Sequence, residues 1–165
     1  MAFRADDWLL GTRGGDGVGR RLRRLDATWR VLPNLSQGEG AQTRMVLGRA
    51  GVFVIDVQHG SGRRPRRRGS TGALDVRSFL PRLAQEAHKA SGILTQVSGR
   101  DVAVWPLLVV IGGLLDIQKA AFDVYVVAEQ LLVPWLRSLP GVLDDATVSA
   151  LYELAADTTT WSDRT

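Results

Sequence analysis

Cysteine is absent from this chain of 165 residues, which excludes disulfide bonds, thiolate metal sites and cysteine nucleophiles. Lysine is scarce, since Lys89 and Lys119 are the only two, so arginine supplies nearly all of the positive charge. Long hydrophobic runs are also missing. The longest uncharged apolar run, residues 102–115, has 14 residues and a proline, short of the roughly 20 that span a bilayer. The first residues lack the layout of a secretory signal, so we expect a cytoplasmic protein with no membrane partner.

The residues that are present suit one globular domain, with 45% hydrophobic and 23% charged residues. We expect that domain to span residues 11–161, with an N-terminal extension over residues 1–10 and a tail over residues 162–165. The formal net charge is +4 and the isoelectric point lies near 10.3. A basic balance of this kind favours anionic partners such as nucleic acid.

Hydrophobic periodicity and turn residues predict the element order α-β-β-β-α-β-β-α-α. The middle helix has its apolar residues at Phe79, Leu83, Ala87, Ala90 and Leu94, with Asp75 or Ser78 as its cap. Asp144 or Asp145 is expected to cap the last helix. Trp29, Trp105 and Trp135 lie in apolar runs and are expected to fill the core. The predicted helices cover residues 13–25, 79–94, 129–136 and 147–156, and the predicted strands cover residues 29–32, 43–47, 52–57, 104–111 and 125–127.

The most informative segment is MVLGRAGVFVIDVQHGSG, residues 45–62. Two apolar, β-rich runs are joined by a hairpin around Arg49 and Ala50, with Gly48 and Gly51 as turn glycines. The second run ends on an acid, Asp56. Metal-dependent phosphodiesterases place a metal ligand at such a strand end, so Asp56 is the first candidate for chemistry.

This segment resembles the centre of the nuclease-related domain, the NERD family of the PD-(D/E)XK nuclease superfamily, whose usual form reads approximately IDHVVVGPGGVFVIDTKxxSG. GTRGGDGVGRRLRRL is similar to the family's opening helix and TWRVLPNL to its first strand. Later segments, including VWPLLVVIGG and TTTW, are similar to bacterial members, so residues 10–161 are covered. The matching positions in the central segment are Gly48, Gly51, Val52, Phe53, Val54, Ile55, Asp56, Ser61 and Gly62.

The resemblance implies an α/β fold with a restriction-endonuclease-like (PD-(D/E)XK) core, αβββαβ, extended by a C-terminal strand and two helices. Nucleases of this superfamily hold Mg²⁺ or Mn²⁺ with an acid before the second strand and an acid ending the third. They also use a lysine two residues further on and a glutamate in the first helix. These four positions fall on Thr43, Asp56, Gln58 and Gly15, of which only Asp56 keeps the expected residue type. With three of the four positions lost, we expect a domain with inactive or impaired catalysis, a pseudo-nuclease that binds DNA or a protein partner and, unless it is active, needs no Mg²⁺ or Mn²⁺.

Two alternatives remain open at this point. A weak Mg²⁺- or Mn²⁺-dependent endonuclease would use Asp56 with Gln58 and Glu39, an acid on a glycine-flanked loop. A protein-interaction module would have no role with nucleic acid.

A second cluster, GSGRRPRRRGS, follows the central strand. Its five arginines would neutralise phosphates in a salt-dependent way, although a solvated charge run has the same composition. His59 and His88 are interpreted as polar surface residues, and the arginines of the first helix as an exposed helix face. The candidate nucleic-acid-binding residues are Arg63, Arg64, Arg66, Arg67 and Arg68.

Overall fold

The computed structural model describes residues 16–32, 43–59, 79–112 and 117–162. The helices are α1 (Asp16–Leu22), α2 (Leu80–Ser98), α3 (Leu132–Ser138), α4 (Asp145–Ala156) and α5 (Thr159–Ser162). The strands are β1 (Arg30–Leu32), β2 (Arg44–Gly48), β3 (Gly51–His59), β4 (Val104–Ile111), β5 (Ile117–Lys119) and β6 (Tyr125–Ala128). Turns of 3₁₀ helix span Ala121–Asp123 and Glu129–Leu131. The predicted order is confirmed, with β5 and α5 as additions that are too short for a periodic signal.

A mixed sheet of six strands organises the described residues, in the order β1-β2-β3-β4-β6-β5. Strands β1, β2 and β3 form an antiparallel meander, whereas β3 pairs with β4 and β4 with β6 in parallel. Parallel neighbours need a crossover connection, and α2 supplies it between β3 and β4. Strand β5 pairs antiparallel with β6 at the edge. The chain is therefore an α/β protein with a mixed sheet.

Helices cover both faces of this sheet. Strand β3 has apolar side chains on each face, and both sets must be buried. Val52 and Val54 point into the cluster formed with α2 and α4. Phe53, Ile55 and Val57 point into a second cluster formed with α1 and α3. Side chains alternate between the faces of a strand, so a strand buried on both sides reads as a continuous apolar run. Asp56 falls on the face covered by α2.

The hairpin between β2 and β3 turns at Arg49 and Ala50, as expected, with Gly48 paired to Gly51. Gly51 has φ of +135°, which favours glycine. Gly48 is needed for a different reason: a Cβ there would lie 2.4 Å from Cε3 of Trp29. The indole of Trp29 packs directly on the backbone of the hairpin.

The predicted cap of the middle helix is wrong. Phe79 occupies the N-cap position of α2 without a side-chain hydrogen bond, so neither Asp75 nor Ser78, both outside the described residues, takes that place. The last helix is capped as expected, because Asp144 accepts a hydrogen bond of 2.7 Å from the backbone N–H of Thr147. The predicted start of the first helix, residues 13–15, lies outside the described residues.

Trp105 also departs from its predicted place in the core. It is 41% exposed, although most of β4 is buried on both faces as expected. The reason is its position in the sheet: β6 begins to pair with β4 only at Leu107, so Trp105 lies ahead of the neighbouring strand. Trp29 and Trp135 are partly buried and pack on the cluster beneath α1 and α3. Among the described helices, none is long and apolar enough to cross a membrane.

Candidate functional site

Asp56 lies near the carboxyl end of β3, at the centre of the sheet. It pairs with Leu108 of β4, and only 8% of its surface is exposed. The register that pairs Arg44 with Ile55 sets Thr43, the residue just before β2, beside Asp56. Ligands of open α/β sheets bind outside the carboxyl ends of the strands, so this end of β3 is the natural place for a site.

The carboxylate of Asp56 is held by its own strand. Oδ1 accepts a hydrogen bond of 2.8 Å from the backbone N–H of Val57, and Oδ2 accepts one of 3.4 Å from Nε2 of Gln58. Burial raises the pKa of Asp56, and these two hydrogen bonds together with the charge of Arg82 only partly oppose that rise. A buried carboxyl disfavours its charged form unless a positive partner compensates. Gln58, standing two residues on, offers a neutral donor and no charge.

Glu86 of α2 brings a second carboxylate to this end of the sheet. Its Oε2 accepts a hydrogen bond of 2.9 Å from the hydroxyl of Thr43, while Oε1 lies 3.4 Å from Nε of Arg82. The negative charge of Glu86 also contributes to the raised pKa of Asp56. Thr43, Asp56, Gln58, Arg82 and Glu86 thus form one polar cluster between β2, β3 and α2, which we call the β3 cluster.

Three of the candidate site residues predicted from the sequence lie together in the β3 cluster: Thr43, Asp56 and Gln58. Gly15, Glu39 and the arginine loop, Arg63, Arg64, Arg66, Arg67 and Arg68, lie outside the described residues. Their predicted roles stay predictions. His59 and His88 are exposed, as expected for polar surface residues.

Sequence reasoning missed Glu86 and Arg82. Glu86 lies next to Leu83 and Ala87, which are buried against the sheet, so the helical repeat already places it at the border of the apolar face. A helix that crosses from β3 to β4 must pass over the carboxyl end of β3 in its first turns. The helical repeat indicates the face on which Glu86 lies, but its contact with Thr43 depends on how α2 crosses the sheet.

The β3 cluster is a poor match for a resident divalent cation. Within the described ranges, there is no group of three or more histidine or acidic side chains that could hold a metal ion. Asp56 and Glu86 are the two carboxylates of the cluster, and one is held by internal hydrogen bonds while the other bonds Thr43. Mg²⁺ is bound by one or two carboxylates together with substrate phosphates. The described residues therefore do not complete a metal site by themselves.

A shallow groove of about 270 Å³ lies elsewhere, between α2 and the segment that leads into β4. Small and apolar side chains form most of its wall, and Phe122, 61% exposed, stands at its rim. Phe122 and Asp123 both have positive φ, 62° and 59°, in the turn between β5 and β6. The groove lies at the amino end of β4, so it is separate from the β3 cluster.

No protein-family model, no curated protein and no solved structure matches this chain.

Proposed function

We propose that this chain is a nuclease-related domain of the PD-(D/E)XK type that binds DNA and lacks competent cleavage. The topology supports the assignment. A helix, an antiparallel three-strand meander, a crossover helix and a parallel fourth strand follow one another in α1, β1, β2, β3, α2 and β4. This is the αβββαβ order that the sequence resemblance implies.

The β3 cluster is the observation that carries the loss of cleavage. Asp56, the acid that ends the third strand, is buried and has a raised pKa, while Gln58 supplies a neutral amide where the resemblance implies a lysine. Thr43 contributes a hydroxyl, which bonds Glu86 and cannot offset the charge of a cation. Removing one charge-stabilising donor from a transition state typically costs about 10² to 10³ in rate. The cluster is therefore far from what cleavage requires.

The test compares cleavage with binding on the same preparation. Supercoiled plasmid is incubated with the full chain and with Asp56→Asn, in Mg²⁺ and separately in Mn²⁺, while a labelled DNA duplex is titrated to measure affinity. We expect binding by both proteins and no nicking by either. Nicking that Asp56→Asn abolishes would overturn the loss of cleavage. If neither protein binds the duplex at low salt, the proposed role with DNA is wrong and a protein-interaction module takes its place.

Weak metal-dependent cleavage is the second candidate function, and Glu86 is the observation that favours it. Its carboxylate accepts a hydrogen bond from Thr43, at the position where the resemblance implies an acid, and it acts electrostatically on Asp56. A second acid is thus present, although from α2 rather than from the strand. Glu39, the acid that the sequence suggests for this role, lies outside the described residues.

Calorimetric titration of Mn²⁺ separates the two candidates. The metal is added with and without a short duplex to the full chain, to Asp56→Asn and to Glu86→Gln. Heat that requires the duplex and both carboxylates would support weak cleavage. Absence of specific heat in every case would support the inactive domain.

A further inference from the structure

Four arginines converge on the outer side of α1 and α3. Arg20, Arg23 and Arg24 are exposed on α1 and the turn that follows it. Arg137, in the last turn of α3, is also exposed and donates a hydrogen bond from Nη2 to the backbone carbonyl of Arg24. That contact joins the two elements into one basic region, which we call the arginine surface.

The burial of α1 explains why these side chains point outward. Val18 and Leu22 are buried, at 0% and 3% exposure, and Leu25 is 8% exposed just after the helix. All three contribute to the cluster beneath α1 and α3. Residues three and four apart share one face of a helix, so the apolar positions take the inner side and leave the arginines to solvent.

Few acids balance this charge. Arg21, beside the arginine surface, makes a long ion pair of 3.8 Å with Glu129. The carboxylate of Asp26 accepts hydrogen bonds from Thr28, and its pKa is lowered chiefly by them, with a smaller contribution from Arg137. Within the part of the chain that the structure describes, none of Arg20, Arg23, Arg24 and Arg137 forms an ion pair. Such a concentration of one sign attracts a polyanion and disfavours the isolated fold through self-repulsion.

We propose that the arginine surface binds the phosphate backbone of duplex DNA. The inference rests on the proposed function, which supplies DNA as the partner, and it specifies the surface of the protein to which the DNA binds. Guanidinium groups match phosphate oxygens in a two-pronged geometry, and duplex DNA carries one charge per roughly 1.7 Å of axis. A membrane surface fits less well, because the apolar side of α1 is already buried in the protein and none of it remains to insert.

The location has a consequence for cleavage. Helices α1 and α3 cover the face of the sheet that holds Phe53, Ile55 and Val57, whereas Asp56 points to the face covered by α2. DNA on the arginine surface is therefore held on the opposite side of the sheet from Asp56. Binding there gives no reason for a phosphodiester to reach the β3 cluster, in agreement with a domain that binds without cutting.

The experiment measures the affinity of the full chain for a fluorescein-labelled duplex over a salt series from about 50 to 200 mM. The variant Arg20→Gln/Arg23→Gln/Arg24→Gln removes three positive charges from the arginine surface. The matched control, Lys89→Gln/Arg100→Gln/Lys119→Gln, removes three exposed positive charges elsewhere, so each variant has a formal net charge of +1 instead of +4. Thermal unfolding of both variants checks that they fold.

We expect the arginine-surface variant to bind about 10- to 100-fold more weakly, because it neutralises fewer phosphates. Its log–log salt slope should fall by about 2 to 3, at roughly 0.9 for each phosphate that the variant no longer neutralises. The control should keep nearly the full slope.

Equal weakening in the two variants would overturn the inference, because net charge alone would explain it. So would an effect confined to a variant with Arg63, Arg64, Arg66, Arg67 and Arg68 changed to glutamine, although the proposed DNA binding would stand. Preferential displacement of the duplex by polyglutamate would also overturn it, in favour of an acidic protein.

Discussion

The β2–β3 pair has two ends that differ in almost every physical respect. At the hairpin end, Trp29 packs on Gly48, and the backbone carbonyl of Arg49 accepts hydrogen bonds of 2.7 and 2.9 Å from the N–H groups of Val142 and Leu143. At the other end, the β3 cluster buries a carboxyl whose pKa is raised. One end consists of satisfied contacts, and the other retains a group that burial destabilises.

The contrast between the two ends shows that stability alone does not account for the residue at position 56. Val52 and Val54 precede Asp56 on the same face and belong to the apolar cluster with α2. An apolar residue at position 56 would continue that pattern at lower cost, because burying a charge is expensive when its compensation is incomplete. Positions where a local rule is broken are expected at functional sites. We therefore infer that Asp56 answers to a requirement other than stability, whereas the residues of the hairpin end serve the fold.

The largest effect is expected from Gly48→Ala at the hairpin end. A methyl group there would lie 2.4 Å from the indole of Trp29, so the ring or the strand must move. Overpacking of this kind typically costs about 1 to 3 kcal/mol. Denaturant unfolding followed by tryptophan fluorescence measures it.

Gly92→Ala is the matched control, since nothing lies within 4 Å of a Cβ at that position of α2. Alanine is the better helix former by about 0.8 to 1 kcal/mol, so this variant should be more stable than the wild type. If Gly48→Ala destabilises the protein while Gly92→Ala stabilises it, the loss at Gly48 is due to the indole of Trp29. Destabilisation at both positions would mean that backbone effects, and not the indole, decide.

The second prediction concerns Asp56→Asn at the site end. A neutral amide of the same shape keeps an acceptor for the N–H of Val57 and removes the buried charge. We expect the variant to be more stable than the wild type at neutral pH, on the order of 1 kcal/mol, the scale of a single substitution. Urea unfolding at a series of pH values measures the difference.

The pH dependence fixes the sign of this effect. Because the pKa of Asp56 is raised in the folded state, the folded protein holds the proton to a higher pH than the unfolded chain. The contribution of Asp56 to stability is therefore full below the ordinary value of 3.8 and is lost as the pH rises through the raised pKa. The advantage of Asp56→Asn should grow over that window and then level off. An advantage that is constant with pH, or a lower stability at neutral pH, would contradict a destabilised carboxylate.

Features set by residues close together in the sequence were predictable, whereas features set by long-range packing were not. The hairpin, with its turn at Arg49 and Ala50, is determined by local residues, and so are β4 and the Asp144 cap. Thr43, Asp56 and Gln58 were named from the resemblance, and their role as a site stays a prediction; that Thr43 lies beside Asp56 follows from the register of the hairpin. The contact of Glu86 with Thr43 was not predictable, since it spans 43 positions of the chain and depends on how α2 crosses the sheet. The exposure of Trp105 depends in the same way on where β6 begins.

Thr43→Val, which removes the hydroxyl that bonds Glu86, should have a smaller effect. Valine fills nearly the same volume, and Glu86 is 26% exposed, so water can replace part of the missing hydrogen bond. We expect a decrease of about 0.5 to 1 kcal/mol in the free energy of unfolding. A double-mutant cycle with Glu86→Gln should give a coupling energy of about 0.5 kcal/mol or more. Strictly additive effects would show that Thr43 and Glu86 do not act together, and the strand residues of the β3 cluster would then be energetically separate from Arg82 and Glu86 of α2.

The smallest effect is expected at the ion pair of the hairpin end, although its geometry is bidentate. Nε and Nη2 of Arg49 lie 2.8 Å from the two carboxylate oxygens of Asp145, and this contact lowers the pKa of Asp145. Both side chains are exposed, so water competes for each and salt screens the pair. Arg49→Ala keeps the backbone carbonyl that bonds Val142 and Leu143, and we expect no measurable change in the free energy of unfolding at moderate salt. A clear destabilisation that disappears at high salt would mean that the side chain of Arg49, and not only its backbone carbonyl, holds the start of α4 to the hairpin.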